Sequence, residues 1–194
     1  MEQNPQQERS LEKLKGEILE ILKKSPVEND PMHAQSVHKW VLKLKPDADE
    51  ALQIAALSHD IDRTMTGITE KDLKDYSQID EFKKQHAKRS AQFISEILRK
   101  RGYLEDVINK VAKLVENNEV GGDEETNILT NADSISYFEG NIPTYLKRNG
   151  REQTKKKIQF MYKRIPEEVK TLVRNLSFEE KEIEALIKEA ISEI

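Results

Sequence analysis

An all-α fold is what this 194-residue sequence predicts, and three observations carry the prediction. Glycine and proline are scarce, at 7 and 6 residues, so the residues that interrupt helices are few. Apolar residues recur every three or four positions rather than every second one, which is the helical period. Charged residues make up 35% of the chain, as expected of helices with solvated outer faces. The length suits one domain, so the expectation is a single-domain helical bundle. In it, residues 1–30 form an N-terminal helix packed on a core at 31–140, and helices in 141–194 complete the same domain.

Composition narrows the function classes. The formal charge is −4 with acids and bases nearly balanced, so bulk affinity for nucleic acid or a membrane surface is not expected. Cysteine is absent, which excludes a disulfide framework and any thiolate metal site. No apolar run approaches the roughly 18 residues of a membrane span. Met1 to Ser10 is too polar for a signal peptide, and the expectation is a cytoplasmic protein.

Met1 to Glu8 is polar and reads as frayed. Ser10 can cap a helix from Leu11 to Lys24, with Leu11, Leu14, Ile18, Ile21 and Leu22 on one face. Ser25-Pro26 stops it, and Asn29-Asp30-Pro31 reads as a turn and a new start with Asp30 as cap. In the helix from Pro31 to Leu44, His33, Val37, Trp40, Val41 and Leu44 share one stripe. His33 therefore points inward, while His38 falls off the stripe.

Pro46 ends that helix, and Asp47 with Glu50 resembles a capping box. The next run, Glu50 to Ser58, is apolar around most of its circumference and reads as a buried helix. His59 and Asp60 arrive together at its end. A buried carboxylate needs a compensating partner, and a metal ion suits both residues. The ordinary alternative is a solvated Asp60 and a His59 that caps the last carbonyls. Arg63 to Gly67 reads as loop, and Thr69 with Asp72 can cap a short helix through Tyr76.

A long helix follows, from Ile79 or Glu81 to Arg101, with His86, Ser90, Phe93, Ile94 and Ile97 on one face and Gly102 as its stop. Glu105 to Asn118 places Val107, Val111, Leu114, Val115 and Asn118 together. After the Gly121-Gly122 loop, Asn127 to Phe138 reads as a helix in which Asp133 has Leu129, Ser136 and Tyr137 as face neighbours. Asn141-Ile142-Pro143 should break the chain.

A basic stretch then contains Lys147, Arg148, Arg151, Lys155, Lys156, Lys157, Lys163 and Arg164. It reads either as the solvated face of an amphipathic helix or as a positive rim for anionic substrates. Pro166 to Asn175 forms a short helix, and Ser177 with Glu180 starts a last one, Phe178 to Ile194. Its apolar face, with Ile183, Leu186, Ile187, Ala190, Ile191 and Ile194, docks on its own domain or on a second subunit in a homodimer.

Six polar residues thus face inward: His33, His59, Asp60, His86, Asn118 and Asp133. A lone inward histidine is ordinarily a hydrogen-bonded core residue. Taken together, these nitrogen and oxygen donors suit a borderline or hard divalent ion.

On these residues the sequence resembles the HD-domain superfamily of metal-dependent phosphohydrolases. That pattern is a first His, an adjacent His-Asp pair and a distant Asp. His33 in His33-Ala34-Gln35-Ser36-Val37, His59-Asp60 after Leu57-Ser58, and Asp133 in Ala132-Asp133-Ser134 match it across roughly Pro31 to Phe138. The resemblance implies an HD-type bundle, a metal held by His33, His59, Asp60 and Asp133, and hydrolysis of a nucleotide or other small phosphate ester by a metal-activated water. Members with a second metal carry two more histidines. His86 matches the first of these, and Asn118 stands where the second would be.

The nitrogen and oxygen set fits Mn, Fe, Co, Ni, Zn or Mg. Asp60, His86 and Arg63 are the candidate catalytic residues. Arg63, Lys88, Arg89, Lys147 and Arg148 are the candidate contacts for substrate phosphate. The competing expectation is a metal- or nucleotide-binding module of the same type without turnover, which Asn118 favours.

Overall fold

A computed structural model describes residues 10–178 and 180–194, with Tyr76 described by its backbone alone. The expected frayed segment, Met1 to Glu8, lies outside them. The described residues are helical throughout their regular structure and contain no strand. The chain divides into two compact units, Met1–Thr130 and Asn131–Ile194.

The first unit is built around an almost wholly buried helix. α1 (Leu11–Leu22), α2 (Asp30–Leu44), α3 (Glu50–Ser58) and α4 (Ile61–Thr66) come first. Short 3-10 turns at Glu70–Asp72 and Tyr76–Gln78 lead to α5 (Ile79–Lys100) and α6 (Glu105–Asn117). α7 (Glu124–Ser136) follows. In α3, Ala51, Leu52 and every residue from Ile54 to Ser58 are buried, as its all-round apolar sequence requires. α1, α2 and α6 pack against α3, and α5 packs against both α4 and α6. Each of these helices gives α3 one apolar stripe: Leu14, Ile18 and Leu22 from α1, Val37 and Val41 from α2, Val111, Leu114 and Val115 from α6.

Local signals set several element ends differently from the sequence reading. Ser10 precedes α1 without a side-chain cap bond. α3 is capped by Asp49, which accepts from the Leu52 amide, rather than by Asp47. Residues 63–66 are helical, not loop: Ile61 and Asp62 are buried, and Gly67, at φ 73°, closes α4 in the left-handed region. On α6 the buried face includes Ile108 in place of Val107.

The second unit comprises the end of α7, a widened π-type turn at Tyr137–Asn141, and four helices. These are α8 (Ile142–Asn149), α9 (Arg151–Lys163), α10 (Glu167–Arg174) and α11 (Lys181–Ser192). Asn141-Ile142-Pro143 does not break the chain. Pro143 sits in the first turn of α8, where a missing N–H costs no helical hydrogen bond.

α9 packs on α11. Ile158, Met161 and Tyr162 from one, and Ile183, Leu186, Ile187 and Ala190 from the other, are buried. Those four residues of the last helix's apolar face therefore dock within its own unit, while Ile191 is partly exposed and Ile194 is exposed. Part of the basic stretch is consumed there too. Lys155 and Arg151 both pair with Glu189, and Lys155 also pairs with Glu193.

Candidate metal centre

The end of α3 sets the site. The His59 amide still bonds to the Ala55 carbonyl, so its ring lies over the last helical turn. There Nδ1 lies 3.0 Å from the Ala56 carbonyl, a contact that requires the ring N–H to donate. His59 does cap the helix, and by doing so it turns Nε2 in the other direction. His33, in the first turn of α2, brings its own Nε2 to 3.2 Å from that atom. Asp60 Oδ2 completes a triangle, at 3.4 Å from His59 Nε2 and 3.6 Å from His33 Nε2.

These three donors fit a divalent ion. A point equidistant from all three atoms lies about 2.0 Å from each, within the usual nitrogen and oxygen coordination range. The residues are buried, at 5% exposure for His33 and 4% for His59, so water competes weakly for the donors. His33, His59 and Asp60 together could hold a metal ion.

Around the triangle lies a buried network of charge. Arg63 pairs with Asp60 Oδ2 through Nη2 and with Asp30 Oδ2 through Nε at 3.3 Å. Asp30 also accepts from Ser25 Oγ at 2.5 Å. The second oxygen of Asp60, Oδ1, lies 3.0 Å from His86 Nε2. His86 Nδ1 lies 3.0 Å from Asp62 Oδ2. Asp62 in turn accepts two bonds from Arg89, each 2.8 Å long, and is fully buried.

Burial alone would push Asp60 toward its neutral form. Arg63, with His59 and His86, outweighs this and holds its carboxyl well below the usual range. Burial would likewise discharge His86, but its bonds to Asp60 and Asp62 raise it to about 9. Asp62 is lowered because His86 and Arg89 outweigh its desolvation. Both carboxylates and the imidazolium are therefore charged at neutral pH.

The remaining expected residues are placed as follows. Asn118 is buried at the end of α6, where its carbonyl accepts from Thr130 Oγ1. Lys83, one turn before His86, pairs with the adjacent Glu119 at 3.8 Å. Lys88 is exposed. In the second unit, Asp133 is buried and accepts from Arg164 Nη2 at 2.6 Å, while Arg164 Nε donates to Ser134 Oγ. Lys147 is exposed there, and Arg148 lies over the Tyr145 ring.

The model of a protein family described as a domain of unknown function, DUF4202, matches residues 12–187. The chain belongs to that family. No curated protein and no solved structure matches it. The DUF4202 match spans every residue of the triangle and of the charge network around it. The family's description assigns no chemistry.

Asp30 and Asp62 are the two members that sequence reasoning missed. Asp30 reads locally as a helix cap, yet its carboxylate turns inward to Ser25 and Arg63. Asp62 precedes what reads as a loop. One signal was available: Arg89 and Ser90, three and four residues after His86, lie on the same side of α5, and both contact Asp62.

Proposed function

We propose that this chain is a metal-dependent phosphohydrolase of the HD-domain type, acting on a nucleotide or another small phosphate ester. The observation that carries the reading is the charge balance around the triangle. Asp30, Asp60 and Asp62 are paired with Arg63, Arg89 and a protonated His86, and His33 and His59 add nitrogen donors beside them. Adding a divalent cation leaves this cluster positive in a poorly solvated place, which favours an anion such as a phosphate ester over a neutral substrate.

A divalent ion held there would supply a Lewis acid for phosphoryl oxygens and would make a water easier to deprotonate. The chain's own residues do the rest. His33 and His59 bind through Nε2, and the Ala56 carbonyl fixes the His59 tautomer. Asp60 spans the site, with Oδ2 on the triangle and Oδ1 held by His86. Arg63, anchored by Asp30, keeps a guanidinium beside the triangle, where it can meet phosphoryl charge. His86 carries a proton on Nε2 that is bonded to Asp60 Oδ1 and would have to part from that oxygen to reach a leaving group.

A non-catalytic binding module is the second reading. It is favoured by the engagement of Arg63 and Arg89 with buried aspartates, which leaves fewer uncommitted cations for substrate.

The test is elemental analysis of tag-free protein, wild type beside Asp60→Ala, followed by hydrolysis assays on a nucleotide panel with added Mn, Co, Ni or Mg. About one metal per chain, lost in the variant, with metal-dependent phosphate release, is the expected result. Metal uptake without turnover on any phosphate ester supports the binding module. Failure to take up metal after reconstitution overturns the hydrolase reading and the metal-binding form of the module.

A further inference from the structure

We propose that Asp62 is a positioning residue for the metal-binding carboxylate, acting on Asp60 through His86. The inference rests on the metal-site reading above and extends it to a residue that is not itself a donor of the triangle.

A carboxylate can rotate, and Asp60 is useful to a metal only if one oxygen stays at the triangle. Oδ2 is that oxygen, so what fixes Oδ1 decides the orientation. His86 Nε2 holds Oδ1 at 3.0 Å. An imidazole can do this reliably only if its own ring is fixed. His86 stacks against Phe82, with the rings 10° from parallel and 6.3 Å apart, which restrains its plane. Stacking alone leaves open which nitrogen faces Asp60. Asp62 decides it by accepting from Nδ1 at 3.0 Å, which commits Nε2 to Oδ1.

Asp62 is suited to the task because it is itself immobilised. Arg89 donates to both of its oxygens from Nε and Nη2. Its backbone amide donates to Ser90 Oγ at 3.1 Å. Thr66 Oγ1 donates back to its carbonyl oxygen at 2.8 Å and contacts Oδ1 at 3.3 Å. Arg89 and Ser90 from α5 and Thr66 from α4 thus hold the side chain and backbone of a residue with no solvent exposure. The relay runs from the anchored Asp62, through both nitrogens of His86, to the oxygen of Asp60 opposite the triangle.

The test is Co²⁺ affinity, read from the visible absorption of the nitrogen–oxygen site, for Asp62→Asn, His86→Gln and the double variant. Asp62→Asn should weaken Co²⁺ binding by roughly ten- to a hundredfold, the range typical of groups that orient metal ligands. On the His86→Gln background the same change should have little further effect, because the relay is already cut. Arg89→Gln loosens Asp62 from its partly exposed side and should give a smaller loss with the same dependence on His86. It serves in place of Asp62→Asn should that variant fail to fold.

A loss of affinity that persists in full without His86 overturns the proposal, since Asp62 would then act on the fold at large. Unchanged affinity in Asp62→Asn overturns it also. Absence of Co²⁺ binding by the wild type is a different failure, because it removes the metal site on which the relay is built.

Discussion

The Nε2 atoms of His33 and His59 face each other at 3.2 Å, although 26 residues separate them in the chain. The Nδ1 proton of His59 is given to the Ala56 carbonyl, so it is Nε2 that His59 turns to this contact. With Asp60 Oδ2 beside them, the simplest common partner is a cation. Divalent metal should therefore stabilise the fold by mass action. At a hundred times its dissociation constant the gain is about 2.7 kcal/mol, or a rise in Tm of roughly 5–10 °C for a chain of this size. Thermal melts with Mn²⁺ or Zn²⁺ against melts in EDTA measure it. His33→Ala and His59→Ala should each abolish the rise, and a rise that survives both places the ion elsewhere.

Arg63 joins two buried carboxylates, Asp30 and Asp60, whose side chains are 3% and 14% exposed. Removing the guanidinium takes the cation from Asp30 and leaves Asp60 paired with His86. Loss of one member of a buried ion pair costs about 3–5 kcal/mol. Arg63→Gln should therefore lower the stability of EDTA-treated protein by that order, read from urea unfolding. Excess metal should restore part of the loss, because the ion replaces the missing positive charge on Asp60. The variant should also keep its metal while kcat/KM for phosphate esters falls. An Arg63→Gln protein as stable as wild type in EDTA would show that Arg63 is solvated rather than structural.

Asp133 and Arg164 form a second buried pair, with side chains 9% and 10% exposed, inside the C-terminal unit. Arg164 also donates to Ser134 Oγ and lies over the Phe160 ring, so one side chain serves three neighbours. Arg164→Met keeps most of the packing and removes the charge. It should destabilise by about 3–5 kcal/mol, because the buried Asp133 carboxylate loses this cation. Arg164→Met combined with Asp133→Leu should recover much of that loss, since an apolar pair of similar size can match a buried ion pair. Chemical denaturation of the four combinations gives the coupling directly, and additive losses would rule out a paired Asp133.

Much of this site was legible because helical periodicity reports orientation. His33, His59, His86, Asn118 and Asp133 all read as inward-facing, and all five are buried. His38, off the stripe, is only partly buried and contacts Gln53. What periodicity could not show was α4. Six residues are too few to display a repeat, and Thr64, Met65 and Thr66 look like a turn. Without that helix Asp62 had no reason to point inward. Asp30 failed for the opposite reason, because its local context offered a complete explanation as a cap. Its actual partner, Arg63, comes from a different helix. The fold class was legible in composition and spacing, whereas the division into two compact units leaves no mark in the continuous sequence of α7.

The charge state of His86 gives the molecule a defined response to pH. Its ordinary value is near 6.5, and its bonds to Asp60 and Asp62 raise it to about 9 in the folded chain. A raised folded value means that protonation favours folding. The contribution is present in full below about 6.5 and is lost as pH rises through about 9. On the acid side the sign reverses for Asp62, whose lowered value stabilises the fold above the carboxylate range and is lost as pH falls through it.

EDTA-treated protein should therefore be most stable between roughly pH 5 and 6.5, and should lose on the order of 3 kcal/mol from His86 by pH 10. Urea midpoints at half-unit intervals measure the curve. His86→Gln cannot titrate, so its stability should stay level across the same alkaline window while starting lower. Parallel alkaline limbs in the two proteins would mean that some other group carries the dependence, and that His86 does not hold Asp60 and Asp62 together as a cation.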